Sequence, residues 1–269
     1  MLRADYHVHS NYSFDGKADV AEQCAAAVRE NVAELCFTEH VDLHHPTPIC
    51  RTLPDFPAWL DHLAQARKRF PSLVVRTGLE VGDNAPHRAE IQALVKTLPL
   101  DFCLLSLHLV DDVDCYEPAF FAEQSQATLY RRYAELKLES ALHFEEYDAI
   151  AHLGYCGKFA PYPPEERPLR WRHAPDHIDA LLAHIAHTGR ALEINTSGLK
   201  QMSVAIPGPD ILRRFAELGG EFVVLGSDAH APEFVGYRLE EAREMALEAG
   251  IRWGVTYVAH EPTPYALEG

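Results

Sequence analysis

Short apolar runs alternate with longer amphipathic stretches along the whole chain. Runs rich in Val, Ile, Leu and Phe predict strands at 3–8, 34–38, 73–81, 101–107, 148–152, 191–195, 222–226 and 255–258. Apolar residues three or four apart predict helices over 17–30, 55–70, 86–97, 118–144, 174–188, 209–218 and 238–250. In the first of these, Val20, Cys24, Ala27 and Val28 carry the helical period. Pro86, Pro118, Pro175 and Pro209 fall near helix starts, where the missing N–H costs least. Gly189, Gly219 and Gly250 fall just past helix ends, where a left-handed residue closes the last turn. Seven or eight strand–helix units without a long linker predict an α/β chain closed into one barrel domain over 1–269, the last strand being the weakest. Two proline-rich stretches, 42–57 and 156–172, interrupt the rhythm on one side of the predicted barrel and read as loops over its mouth.

Composition narrows the picture. A chain of 269 residues with 47% hydrophobic content buries a full core without disulfides. The six cysteines form no CxxC pair, and the first ten residues hold no leader-like apolar stretch, so a reducing cytoplasm is the expected setting. No run approaches a membrane span. A formal net charge of -16 argues against a general nucleic-acid binder. It leaves room for a small anionic substrate, because bound dications reverse the local sign.

The chemistry lies at the ends of the apolar runs. His7 and His9 close the first, His40 the second, Glu80 the third and His108 the fourth. His152 and the pair Asp228 and His230 close later ones, and Asp15 sits in the polar turn after the first. Strand ends on one face of a barrel converge in space, and residues two apart on a strand point the same way. Imidazoles and carboxylates gathered there suit zinc or first-row transition ions. Left without ions, so many titratable groups would carry heavy desolvation costs. His62, His87, His143, His173, His177, His184, His187 and His260 fall in helical or terminal stretches and read as solvated or packing residues. His44 and His45 lie in a loop on the ligand side, placed to contact substrate.

HVHS at 7–10, TEH at 38–40, GLE at 78–80, SLH at 106–108, AHLG at 151–154 and GSDAH at 226–230 resemble the polymerase-and-histidinol-phosphatase (PHP) superfamily. ALEINTSGLK at 191–200 resembles its histidinol-phosphate phosphatase branch. The resemblance implies a distorted (β/α)7 TIM-like barrel with three divalent or transition ions, zinc, manganese or iron. By position, His7, His9, Glu80 and Asp228 hold one ion, and Glu80, His108 and His152 a second, with Glu80 as the bridge. Asp15, His40 and His230 hold the third. The implied reaction is hydrolysis of L-histidinol phosphate to L-histidinol by hydroxide formed from metal-held water.

Candidate contacts to the small phosphomonoester are Lys158, Arg172, Lys200 and, more weakly, Arg51, with Asn195 and Ser197 as donors to phosphate or to a metal ligand. Asp42 with Phe159, Tyr162 or Trp171 would hold an imidazole-bearing amine. Each has an ordinary surface or capping role as its alternative, and the sequence names no general acid or oligomeric state. Competing functions are a broader nucleotide or small-ester phosphoesterase, a phosphotyrosine phosphatase, a C–N hydrolase of the amidohydrolase type and a non-catalytic metal-binding module. The last is disfavoured by the absence of cysteine ligands and by more ligands than one closed site uses.

Overall fold

The computed structural model describes residues 3–268. Seven parallel strands succeed one another around a barrel: β1 (Ala4–Val8), β2 (Glu34–Val41), β3 (Val74–Gly82), β4 (Phe102–Ser106), β5 (Ala149–Ile150), β6 (Ala191–Asn195) and β7 (Phe222–Gly226). Closure is made by Val8 against Ala229 just beyond β7, with His9 N–H donating to the Ala229 carbonyl at 2.9 Å. An eighth strand, β8 (Trp253–Val258), runs parallel to the start of β7. A ninth, β9 (Glu261–Ala266), returns antiparallel to β8. This is the distorted TIM-like barrel expected of the chain, extended at one end by a hairpin.

Helices α1 (Val20–Arg29), α2 (Phe56–Arg69), α3 (Arg88–Val95), α4 (Gln126–His143), α5 (Pro175–His187), α6 (Pro209–Glu217) and α7 (Leu239–Glu248) form the outer layer. Residues such as Leu35, Phe37, Leu79, Leu105, Leu192 and Leu225 point outward onto them. Asp19 caps α1 in a reciprocal box with Glu22, so the helix starts at Val20 rather than at 17. Pro175 and Pro209 occupy the first turns of α5 and α6, and Gly189, Gly219 and Gly250 take positive φ past helix ends, as expected.

The helix expected over 118–144 splits. Pro118–Phe121 is a 3-10 turn, and α4 begins only after Ser125, whose hydroxyl accepts from Thr128 N–H and sets the start. The helix expected at 86–97 likewise opens with a 3-10 turn at Ala85–His87. The strand expected over 148–152 shrinks to two residues, since His152 turns to φ 20° to enter the site. Strand β9 was not anticipated: Pro262 and Pro264 break the apolar pattern and are tolerated only because this strand is an edge.

Inside the barrel, side chains are layered. The floor is apolar: Ala4, Tyr6, Phe102, Leu104, Ala149, Ala191, Val224, Val255 and Tyr257 pack together. The next inward positions up β2, β3, β4 and β6 are His40, Glu80, Ser106 and Glu193, all buried. A register shift between Asp5 and Val8 lets β1 put Tyr6 into the floor and His7 and His9 into the polar layer above it. Period-two strands thus deliver an apolar floor and a polar roof in one tube.

Candidate metal centre

Glu80 stands at the middle of the polar layer. Its Oε1 lies 2.7 Å from His152 Nε2 and 3.1 Å from His108 Nε2. Its Oε2 lies 3.0 Å from His7 Nε2, 3.4 Å from His9 Nε2 and 3.3 Å from His40 Nδ1. One carboxylate therefore faces two sets of imidazoles through its two oxygens. Asp228 Oδ1 is 3.7 Å from both His7 and His9 Nε2. Asp15 is 3.1 Å from His230 Nε2 and 3.6 Å from His40 Nε2, at the outer end of the cluster. All nine predicted residues meet in one place. Close triads form from His7, His9 and Asp228, from His7, Glu80 and His152, from His40, Glu80 and His108, and from His9, His40 and His230.

The electrostatics fit divalent ions. Burial lowers His9, and the neighbouring His230 and His40 lower it further, so its ring stays neutral, as a ligand must be. Burial also lowers His152. Burial would raise Glu80, but His7, His40 and His108 hold its carboxyl well below the usual range. Lys158, His7 and His230 do the same for Asp228 against its own burial. Burial pushes His40 down while Glu80, Asp42 and Asp15 lift it to about 9. Buried carboxylates that demand positive charge thus stand among imidazoles, and His9 Nε2, His40 Nδ1 and His152 Nδ1 have no hydrogen-bond partner. Asp228 and His152 hold positive φ, 54° and 20°, a strained backbone met at functional positions.

A second ring of groups orients the first. Glu193 Oε1 is 2.6 Å from His7 Nδ1, and its Oε2 accepts from His152 N–H at 2.6 Å. Asp42 Oδ1 is 2.8 Å from His108 Nδ1, and its Oδ2 is 3.4 Å from His40 Nδ1. Glu39 accepts from Ser10 Oγ at 2.5 Å and Ser13 Oγ at 2.6 Å, which pins the turn carrying Asp15. Carboxylates behind ligating imidazoles fix tautomer and ring direction. Two glycines make room for them: a Cβ on Gly82 would meet Asp42 Oδ1 at 1.9 Å, and one on Gly226 would meet Glu193 Oε1 at 2.3 Å. Sequence reasoning missed Glu193 and Glu39. The available signal was strand parity, since Glu193 and Asn195 share the inward face of an otherwise apolar strand.

A cavity of about 420 Å³ opens over the cluster. Lys158, Ser197 and Lys200, three of the candidate phosphate contacts, are in its lining. Lys158 Nζ is 2.8 Å from Asp228 Oδ2, and Lys200 Nζ lies 3.3 Å above the Phe234 ring. Burial lowers Lys200 to about 8. Asn195 is fully buried and orders its neighbours instead: its Oδ1 accepts from Ser197 Oγ, and its Nδ2 donates to Glu193. Asp42 also lines the cavity, but both its oxygens serve His108 and His40. Arg172 stands away from the cavity and is exposed. The loop ends in a 3-10 turn whose Trp171 donates to Asp179 of α5 and to Asp210 of α6, which ties it to the helix layer. Tyr162 packs on Phe121, outside the cavity lining, and Arg51 is exposed outside it. Of the expected loop residues His45 and Phe159 do line the wall, joined by Asp114 and Tyr116, which were not anticipated; His45 Nε2 is 3.4 Å from Asp114 Oδ2.

The profile of the PHP domain family matches residues 5–197. This chain belongs to the PHP domain family. A PHP relative, the histidinol-phosphatase of Lactococcus lactis subsp. lactis, is 27% identical over 96% of this chain and 95% of its own length. A probable histidinol-phosphatase of Deinococcus radiodurans is 31% identical over 92% and 94%. The crystal structure of the Lactococcus lactis histidinol phosphate phosphatase, complexed with zinc, L-histidinol and phosphate, superposes with a TM-score of 0.88 at 26% identity. That superposition covers 97% of this PHP chain and 98% of that one. Its relatives thus place the chain on the histidinol-phosphatase branch, as the 191–200 segment suggested.

Proposed function

We propose that this PHP protein hydrolyses L-histidinol phosphate to L-histidinol and phosphate. The likeness over nearly the whole of both chains to a phosphatase holding zinc, L-histidinol and phosphate carries the reading. His7, His9, Glu80 and Asp228 would hold one ion, Glu80, His108 and His152 a second, and Asp15, His40 and His230 the third. Glu80 would be shared between the first two, because its two oxygens face different imidazole sets. Zinc, manganese and iron all suit this donor set. When bound, such ions supply Lewis acidity at the phosphoryl oxygens and acidify water near neutral pH.

The remaining work belongs to the chain. Glu193 and Asp42 stand 2.6 Å from His7 Nδ1 and 2.8 Å from His108 Nδ1, where each would favour a proton on Nδ1 and so leave Nε2 free to hold an ion. Lys158 and Lys200 stand in the wall beside Asp228, where their ammonium groups can take the phosphoryl oxygens. Asp114, in the same lining, is the carboxylate left for the cationic amine or ring of the alcohol, and Tyr116 and Phe159 meet edge to face in that lining. The chain acts as one barrel domain over 1–269, supported by a nine-stranded sheet whose strands run from Ala4 to Ala266. Six free cysteines, five of them buried, support a reducing cytoplasmic setting. Among the described residues no helix is long and apolar enough to cross a membrane.

The test is steady-state hydrolysis by protein of known metal content, with L-histidinol phosphate, glycerol phosphate, 5'-AMP and a phosphotyrosine peptide side by side. A kcat/KM of about 10⁴ M⁻¹s⁻¹ or more on histidinol phosphate alone, lost on chelation, is expected. Weak and equal rates on all four would keep a metal phosphoesterase and overturn the substrate.

A further inference from the structure

One histidine cluster lies outside the barrel mouth. His44, on the loop after β2, and His87 and Glu90, at the start of α3, bring one ligating atom each to within 4.8 Å of one another. His44 Nε2 is 2.8 Å from Glu90 Oε2. The His44 and His87 rings lie 3.7 Å apart with planes 18° from parallel. We propose that His44, His87 and Glu90 form a fourth, peripheral divalent-metal site that clips the 42–57 loop to α3.

Three features carry this. The donor set is two imidazoles and a carboxylate, which leaves a coordination position for water and suits zinc. His87 and Glu90 are three residues apart and share one face of the helix start, so a single pair of positions presents both. On the loop side, His44 sits at φ 62°, a left-handed conformation costly for a residue with a Cβ. That conformation belongs to a turn in which His45 N–H donates to the Asp42 carbonyl. The turn sends Asp42 and His45 inward and leaves His44 outside, 2.8 Å from Glu90. Closing the outer cluster on an ion would hold from behind the turn that orients His108 and lines the cavity.

The rings must fan apart to share an ion, because stacked imidazoles do not aim their lone pairs at one point. His87 is half-buried, so the movement falls to His44 and Glu90, whose side chains are 41% and 60% exposed. The peripheral site therefore fills after the buried centre, at higher metal concentration, and prefers the later first-row ions.

The experiment titrates Zn²⁺ into enzyme already loaded to its full catalytic complement, followed by calorimetry, with His87→Ala and Glu90→Gln in parallel. Neither residue touches the cavity. Wild type is expected to take one further equivalent, and each variant to bind it more than about tenfold more weakly at unchanged kcat/KM. The same excess Zn²⁺ is expected to slow proteolysis within residues 46–54 in wild type and not in His87→Ala. No further equivalent, or one of equal affinity in both variants, would overturn the site. Equal proteolysis with and without the ion would overturn the clip.

Discussion

The two ends of the barrel bury the same kinds of residue and treat them in opposite ways. At the end where the strands start, polar groups complete one another. Asp148 Oδ2 accepts from Cys103 N–H at 2.7 Å and pairs with His260 Nδ1 at 2.9 Å. Tyr6 Oη donates to Glu34 at 2.6 Å and accepts from Tyr257 N–H at 2.8 Å. Asp101 takes Thr77 and Ala259 N–H on its carboxylate and His260 N–H on its carbonyl. At the other end, three buried ring nitrogens have no partner, and two carboxylates are held far below their normal range. Unpaired buried polar atoms cost about 1–3 kcal/mol each. Pairing of the carboxylates below the barrel floor builds stability there, and the open imidazoles above it are where the chemistry lies.

The sharpest way to break that contrast is Glu80→Gln. The amide keeps the size but loses the charge that three histidines share. Both ion sites joined by Glu80 should fail together. The loss in kcat/KM should exceed the roughly 10–100-fold typical of an orienting neighbour. Elemental analysis should show fewer ions per chain, while far-UV circular dichroism stays that of the wild type. Full activity with full metal content would deny Glu80 the bridging role. Glu193→Gln comes next. It leaves every proposed ligand in place but weakens the hold on His7 Nδ1 and His152 N–H. Metal affinity should fall about 10–100-fold, and added metal should restore kcat, which loss of a ligand would not permit.

The order of these effects mirrors what the sequence made legible. All the ligands but Asp15 could be read because they close apolar runs, and a parallel barrel brings such ends together whatever their spacing. His7 and Glu193 are 186 residues apart and meet only through the closed geometry, so the partner of the orienting carboxylate could not be read although its inward place in the strand could. Loops were read worst. Two of their basic residues faced the wrong way: Arg172 sits in a turn tied to the helix layer, and Arg51 lies outside the cavity. Asp42 was chosen for the amine from its loop position, yet its distances commit it to His108 and His40. Period and propensity fix neither the path of a proline-rich loop nor the partner of a carboxylate, because both are decided by tertiary packing.

Asp114→Asn tests the cavity wall that replaced Asp42. Removing the negative charge that would face the cationic alcohol should cost about tenfold or more in kcat/KM for L-histidinol phosphate. The rate on the ester of an uncharged alcohol, such as glycerol phosphate, should be unchanged. An equal fall on both substrates would make Asp114 a support for His45 rather than a reader of charge.

The smallest effect comes from the opposite mouth. His260 lies in the turn between β8 and β9 with φ 66°, so His260→Asn keeps a residue that tolerates the left-handed region while weakening the pair with Asp148. Catalysis should be untouched, since the apolar barrel floor lies between the two ends and no proposed ligand reaches across it. The hydrogen bond to Asp148 raises His260 above its usual 6.5, against some burial. A raised imidazole stabilises the fold fully below about pH 6.5, and the gain fades as pH climbs through the folded value. Burial raises Asp148 too, against the pull of His260, so both partners lose native-state stability with rising pH. His260 is 42% exposed, which screens the pair and keeps its worth at or below about 1 kcal/mol. Denaturant unfolding of wild type and variant near about pH 5.5 should therefore show a difference that shrinks by about pH 8.5. A difference that grew with pH, or a fall in kcat, would mean that this end of the barrel does more than hold the fold together.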